Sequence, residues 1–214
     1  MGVNMAGNCI CDDDVCQEAS RQEIIRRYYT TLGRVVEEKA NESEVLKIEF
    51  LMKQAGISIE DRPVVGSALL KAEMTGGPAA AMELPDGTIV TGKTSDLLGA
   101  SSALLLNALK SLAGIDDEVK LISPEVIEPI QTLKVDYLGG HNPRLHTDEI
   151  LIALSVCAAT DEKARHAMEQ LKNLKGTDVH TSVMLSSVDT NTFRKLGVNL
   201  TCEPHYQTKK LYHG

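Results

Sequence analysis

Residues Gly87 to Thr94, Gly-Thr-Ile-Val-Thr-Gly-Lys-Thr, satisfy the GxxxxGK[ST] phosphate-loop spacing letter for letter. A working phosphate loop follows a buried strand, curls its own amides around phosphate and opens a helix at the Lys-Thr pair. The local chemistry of this octapeptide is different. Thr88, Ile89, Val90 and Thr91 are all β-branched and favour a strand, and Leu84-Pro85-Asp86-Gly87 before them has the composition of a tight turn. The segment therefore predicts a hairpin in which residues 79–84 pair with 88–92. Gly87 then lies at the turn and Gly92 a full strand away, too far for the two glycines to cradle one phosphate.

Before the hairpin the apolar spacing is helical. Ile25, Tyr28, Leu32 and Val35 form a stripe within residues 14–38, and the run Asp12-Asp13-Asp14 supplies an N-cap and favourable charge at its start. Asn41 with Glu44 reads as a capping box ahead of Val45, Ile48, Met52 and Ala55, and Gly56 closes that second helix. A third covers residues 62–75 and stops at Gly76-Gly77-Pro78, so residues 1–76 read as a helical subdomain and 77–214 as a second domain.

After the hairpin, Thr94 or Ser95 is expected to cap a very apolar helix carrying Leu97, Leu98, Leu104, Leu105, Ala108, Leu109 and Leu112. Residues 119–123 read as a short strand, and Pro129 as a first-turn proline of a helix ending at Leu138 before Gly139-Gly140. Residues 150–159 and 164–174 read as helices divided at Thr160-Asp161. Val179, Thr181, Val183 and Leu185 alternate as a strand, Asp189 is expected to cap a short helix, and Val198, Leu200 and Cys202 alternate again. Strands interleaved with helices predict an α/β layered domain.

The net charge of −8 over 214 residues, with no basic run longer than Arg26-Arg27 or Lys209-Lys210, argues against a nucleic-acid partner. The most apolar windows are too short or too broken by Ser, Asn and Lys to cross a bilayer, so no membrane partner is expected. The acidic start and the absence of a signal or myristoylation pattern predict a cytoplasmic location. Five cysteines, an odd number, imply no disulfide framework. Cys9, Cys11 and Cys16 cluster without the second ligand pair that a closed metal site needs.

Several runs carry a family resemblance: MGVNMAGN from Met1, SRQEIIRRYY from Ser20, ELPDGTIVTGKTSDLLG from Glu83, LISPEVIEPIQTLK from Leu121, HNPRLHTDEILIALS from His141 and VMLSSVDTNTFRKLGVNLTCEP from Val183. Together the chain resembles the C-terminal portion of a bacterial family, uncharacterised protein family zero-three-seven-one, or domain of unknown function eighteen-forty-six. Members of that family are longer, so the resemblance implies that this chain is a fragment whose first partner is its own missing N-terminal portion, where the family carries a glycine-rich segment of its own. It further implies a helical subdomain followed by a three-layer α/β/α domain with a mixed sheet of deaminase-like topology. Deaminase chemistry does not transfer, because neither the HxE nor the PCxxC that would hold its zinc and move its protons occurs here.

Ligands of open α/β sheets gather beyond the carboxyl ends of the strands. Three such ends are polar here: Lys93, Thr94 and Ser95 after the hairpin; Ser186 and Ser187 with Asp189 after the next strand; Glu203 with His205 after the last. The loop from Gly140 to Glu149 adds His141, Arg144 and His146, with Thr147, Asp148 and Glu149 at a helix start. Lys93, Thr94, Ser95, His141, Arg144, Ser186 and Ser187 are therefore the candidate ligands of a carboxylate or phosphate. The competing reading is that Thr94, Ser95, Thr147 and Asp189 only cap helices. A metal at His141, His146 and Asp148 is disfavoured by the proline-bearing loop that carries them, so no metal site is predicted and no cofactor is implied. His180 alternates with core positions and is expected on a strand face.

No complete set of nucleophile, base and orienting group is visible in the sequence. That favours a C-terminal accessory domain of a larger protein, contributing packing, homo-oligomer contacts and an anion site, over a self-contained binding or hydrolytic domain.

Overall fold

The computed structural model describes residues 12–207. Helix α1 spans Asp13–Val36, with Asp12 as N-cap accepting the Val15 amide at 3.0 Å, and α2 spans Glu42–Ala55, closed by Gly56 in the left-handed region. Pro63 opens α3 (Pro63–Thr75), where a proline costs nothing because first-turn amides lack intrahelical partners. The hairpin follows. β1 (Ala79–Glu83) pairs antiparallel with β2 (Ile89–Lys93) in the register Ala79↔Lys93 to Glu83↔Ile89, and Gly87 sits at φ 82° in the turn. The octapeptide that spells a phosphate loop is therefore a turn and an edge strand.

The remaining elements are α4 (Ala100–Leu112), α5 (Pro124–Thr132), α6 (Thr147–Cys157), α7 (Glu162–Glu169), β3 (Asp178–Thr181), α8 (Ser187–Leu196) and β4 (Asn199–Cys202). The sheet order is β2-β1-β3-β4, with β1 antiparallel to both neighbours and β3 parallel to β4, so the chain is α/β with a mixed sheet. Alternation along β1 divides the layers. Ala80 and Met82 point into the large core with Leu104, Leu105, Ile150, Leu154 and Phe193, whereas Ala81 packs with Val64 and Ala68 of α3 on the other face. Gly92 lets α4 lie against β2, since a Cβ there would fall 2.2 Å from the Leu104 amide nitrogen.

The α1/α3 face of the sheet encloses a polar network. Arg62, 0% exposed, donates from Nε to Thr201 Oγ1 (3.2 Å), from Nη2 to the Asn199 and Val179 carbonyls (2.7 and 3.3 Å) and from Nη1 to Gln22 Oε1 (3.1 Å), and it pairs with Asp178 at 2.8 Å. His180, on the strand face as its alternation predicts, lies between Thr201 Oγ1 (2.9 Å) and Glu203 Oε1 (3.1 Å), with Tyr29 edge-on to its ring at 4.8 Å. Burial holds the His180 pKa below its ordinary value against the pull of Glu203. The neutral imidazole then donates to an ionised Glu203 and accepts from Thr201, which satisfies both ring nitrogens.

Several expectations need correction. Residues 119–123 form no strand among the described residues: the segment is irregular, and Lys110 Nζ donates to the Asp117 carbonyl just before it (2.8 Å). Helix α5 starts at Pro124, so Pro129 lies inside it, and the chain then widens into a π-helical turn over Leu133–Tyr137. A proline removes one helical donor and crowds the preceding turn, which is the condition under which a helix changes pitch. The strand expected to run on to Leu185 stops at Thr181. Beyond it Met184 N donates to the His205 carbonyl (2.8 Å), and Val183 is buried without belonging to a strand. The Cys9–Cys11 part of the cysteine cluster lies outside the described residues, and Cys16 is exposed.

Candidate anion-binding site

Strands β2, β3 and β4 run in one direction, so Lys93, Thr181 and Cys202 all end at the same edge of the sheet. The loop leaving β2 does not open a helix there, contrary to the capping role expected of Thr94 and Ser95. It runs alongside the loop before α6: Leu145 N donates to the Leu97 carbonyl (3.0 Å) and Gly99 N to the Leu145 carbonyl (3.4 Å). Arg144 Nε donates to the Ser95 carbonyl (2.7 Å), and Gln131 Nε2 bridges the Asp96 and Pro143 carbonyls at 3.1 Å each. Ser95 Oγ is occupied by the Leu98 amide (3.1 Å). The π-helical turn braces this pair of loops from beneath, because Lys134 Nζ reaches both the Arg144 carbonyl (2.9 Å) and Glu149 Oε2 (2.8 Å). Gly140 passes where a Cβ would lie 2.8 Å from the Lys134 carbonyl oxygen.

Helix α4 therefore begins late, at Ala100, after Gly99, which has no side chain to cap it. The amides of Ala100, Ser101 and Ser102 have no hydrogen-bond partner among the described residues, although all three residues are buried. Orphan amides at a buried helix start call for a partner from outside the helix. Ser102 Oγ is spent on the Leu145 carbonyl (2.8 Å), but the Ser101 hydroxyl, in a residue only 3% exposed, has no partner.

Facing this helix start is a charge pair that sequence reasoning missed. Ser186, not Asp189, caps α8, accepting the Asp189 amide at 3.2 Å, and the Asp189 carboxylate is released to turn toward α6. Its Oδ1 accepts from Thr147 N and Thr147 Oγ1, both 2.9 Å, and its Oδ2 from Ser186 Oγ and His146 Nδ1, both 2.9 Å. Burial pushes the Asp189 pKa up, but the bonds from His146, Thr147 and Ser186 outweigh it and leave the group below its ordinary value. The Asp189 hydrogen bond in turn raises the His146 pKa above its ordinary value against the opposing effect of burial. An ionised carboxylate can only accept, so Nδ1 carries the hydrogen, and Nε2 makes no hydrogen bond to a described residue.

A cleft of ≈ 50 Å³ lies between these groups, walled by Thr94, Ser101, Arg144, His146, Asp189 and Gln207. That is room for one small polar group, since a single water occupies about 10–15 Å³ on the same measure. Of the residues anticipated from sequence, Thr94 and Arg144 line the cleft and Ser186 reaches it through Asp189. Lys93 and Ser187 are exposed at the same sheet edge outside the lining, Ser95 contributes its carbonyl to Arg144, and His141 is exposed on the loop. A larger hollow of ≈ 460 Å³ at the opposite edge is lined by Glu18, Asp61, Glu83 and Asp178 with one cation, Lys175, and repels the anion these loops would attract. Among the described residues no helix is long and apolar enough to cross a membrane.

Comparison with known sequences places the two regions. Residues 60–212 match the profile of the Domain of unknown function DUF1846, C-terminal, and residues 1–56 match its N-terminal counterpart. The chain belongs to this family. A UPF0371 protein of Corynebacterium urealyticum is 58% identical over 212 residues, covering 99% of this chain and 43% of the relative. One from Corynebacterium aurimucosum is 61% identical, covering 98% and 42%, and one from Streptococcus thermophilus is 55% identical, covering 99% and 43%. The chain thus spans less than half the length of these bacterial relatives, whose names assign no function.

Proposed function

We propose that this chain is the C-terminal domain of a larger cytoplasmic protein and that it contributes a small-anion site at the strand-end edge, formed by the α4 amides, Ser101, Thr94, Arg144 and His146. The observation that carries this reading is the Ser101 hydroxyl. It is buried without a partner beside three orphan amides, in a residue that lines a cleft whose other walls include Arg144 and His146. Amides at a helix start carry about half a positive charge, and Arg144 adds a full one, so a carboxylate or phosphate group fits where a neutral group would leave donors unsatisfied. The companion part of the proposal is that the rest of the relatives' length covers the helical face. There, Leu46 and Phe50 of α2 are each 63% exposed and Leu70 and Met74 of α3 also face solvent.

Titration of the purified chain with inorganic phosphate, followed by calorimetry, tests the site. Saturable binding is expected, weakened about tenfold or more by Arg144→Ala, as loss of a charged hydrogen bond worth about 1.5–3 kcal/mol requires. Binding that is absent, or that survives Arg144→Ala and Ser101→Ala unchanged, refutes it.

A further inference from the structure

A separate hollow of ≈ 250 Å³, sharing no residue with the anion cleft, runs between α4 and the irregular segment that leads into α5. Ala103, Leu106, Asn107 and Lys110 line it from positions i, i+3, i+4 and i+7 of the helix, one face about 10 Å long at 1.5 Å per residue. Val119, Leu121 and Ile122 line the facing wall. These are the strand-like residues that the sheet does not take up, and Lys120, Leu121 and Ile122 make no backbone hydrogen bond among the described residues. A wall without ladder bonds can shift to seat a guest. Its one polar tie is Lys110, which crosses from α4 to donate from Nζ to the carbonyl of Asp117, itself in the lining (2.8 Å). The ammonium therefore stands where the two walls of a mainly apolar channel meet, at the last of the four helical positions.

We propose that this hollow binds a small amphipathic carboxylic acid, its apolar part lying along α4 and its carboxylate on Lys110. An ammonium has three donors, and the Asp117 carbonyl takes one. The Asp117 carboxylate, 92% exposed, stays 4.0 Å from Nζ, beyond hydrogen-bond reach and screened by water. The Lys110 side chain is itself only 11% exposed, and a cation so far withdrawn from water with donors unspent favours an anionic partner. Asn107 does not compete for that partner through its amide group, which donates to the Thr91 carbonyl (2.9 Å). Lys110 and Lys120 against Asp117 leave the lining positive in a chain of net charge −8, so the hollow draws an acid that most of the surface repels. The leucine, isoleucine and valine walls then bury the apolar part, as small-molecule sites with one or two placed polar groups do. An apolar cavity of about 150 Å³ accepts benzene. The ≈ 250 Å³ here holds one ring and a short arm bearing the carboxylate.

Calorimetric titration of the purified chain with hydrocinnamate and, separately, with uncharged hydrocinnamyl alcohol tests the assignment, because the two probes share their apolar part and differ in charge. Saturable binding of the acid is expected, with the alcohol about tenfold or more weaker, the scale of one charged hydrogen bond. In Lys110→Met the acid should fall to the affinity of the alcohol, and in Ala103→Phe, which fills the hollow from α4, both should be lost. Circular dichroism melting confirms that each variant is folded. The comparison of acid with alcohol in the wild type decides the matter even where a variant does not fold. Since a carboxylate also suits the cleft at Arg144, the acid is titrated again into Arg144→Ala and in the presence of inorganic phosphate, and unchanged binding is expected in both. Loss of the acid in Arg144→Ala, or its displacement by phosphate, puts the carboxylate in the anion cleft and overturns the hollow alone. No binding of the acid, equal affinity for acid and alcohol, or affinity for the acid unchanged in Lys110→Met overturns it as well. Binding of the acid that depends on Lys110 in a chain that takes no phosphate supports the hollow and removes the anion cleft alone.

Discussion

Replacing Gly92 by alanine separates the hairpin from the phosphate loop it imitates. A Cβ at this position would lie 2.2 Å from the Leu104 nitrogen, 2.6 Å from Leu104 Cα and 2.7 Å from the Ala100 carbonyl oxygen, all of them main-chain atoms of α4 and its start. Comfortable contact needs roughly 3.5 Å, so the helix must retreat from the sheet by about 1 Å. A gap of that size forfeits a quarter to a half of the attraction between facing atoms. The atoms concerned belong to Leu104, Leu105, Ala108 and Leu109, all 0% exposed, and there is no flexible side-chain end that could yield instead. The cost therefore falls at or above the top of the range for overpacked cores, about 3 kcal/mol. For a chain of this size that is a loss of roughly 6–12 °C in melting temperature, read by circular dichroism at 222 nm and checked by urea unfolding. Lys93→Ala, at the next position in an exposed side chain, should leave the melt unchanged. A Gly92→Ala protein that melts within about 1 °C of the wild type would show that α4 does not lie against β2 as described.

Arg62→Ala should destabilise the chain by about 3–5 kcal/mol in urea unfolding, because it leaves Asp178 and the Asn199 carbonyl without their buried partner; a loss below about 1 kcal/mol would contradict the network. His146→Asn keeps a donor for Asp189 but cannot titrate. Since the folded pKa of His146 lies above its unfolded value, the wild-type advantage over this variant should be complete below about pH 6.5 and shrink as pH rises through the folded value. Urea unfolding between pH 5.5 and 8.5 checks this, and an advantage that grows with pH refutes it. Burial pushes the Cys202 thiol up to about 11, so a disulfide reagent at pH 8 should modify exposed Cys16 well before Cys202, as peptide mapping of a brief reaction would show. Equal rates at the two would mean that β4 is open to solvent.

What the sequence makes plain here is local chemistry. Asp12 as a cap, Gly56 and Gly76 as helix ends and the Pro-Asp-Gly turn act within four residues of themselves, and each lies where those residues predict. Helix starts are misplaced where a polar side chain has a stronger use elsewhere. Ser95 is taken by Leu98, so α4 waits for Gly99; Ser186 takes over the cap, so Asp189 is released. The π-helical turn follows from Pro129 and from Lys134 being held at both Arg144 and Glu149, and neither contact has a local signature. Strand length beyond Thr181 is overread because Val183 stays buried, as an alternating strand position would be, where the chain has already left the ladder. The site is the least legible part. His146 and Asp189 are 43 residues apart, and Ser101 resembles any first-turn serine until its lack of a partner is seen in three dimensions.

The buried guanidinium of Arg62 has a further consequence, for where the protein can be cut. The family profiles part between residues 56 and 60, two residues short of Arg62. Yet Gln22, before that divide, holds one of its nitrogens, and Tyr29 closes over His180 from the same helix. Evolutionary modules and folding units are offset by two helices. A recombinant piece that begins at residue 60 would carry the whole C-terminal profile and still lack the lid of its own sheet, exposing Val65, His180 and Thr201 to water. The smallest piece with a closed interior starts before α1.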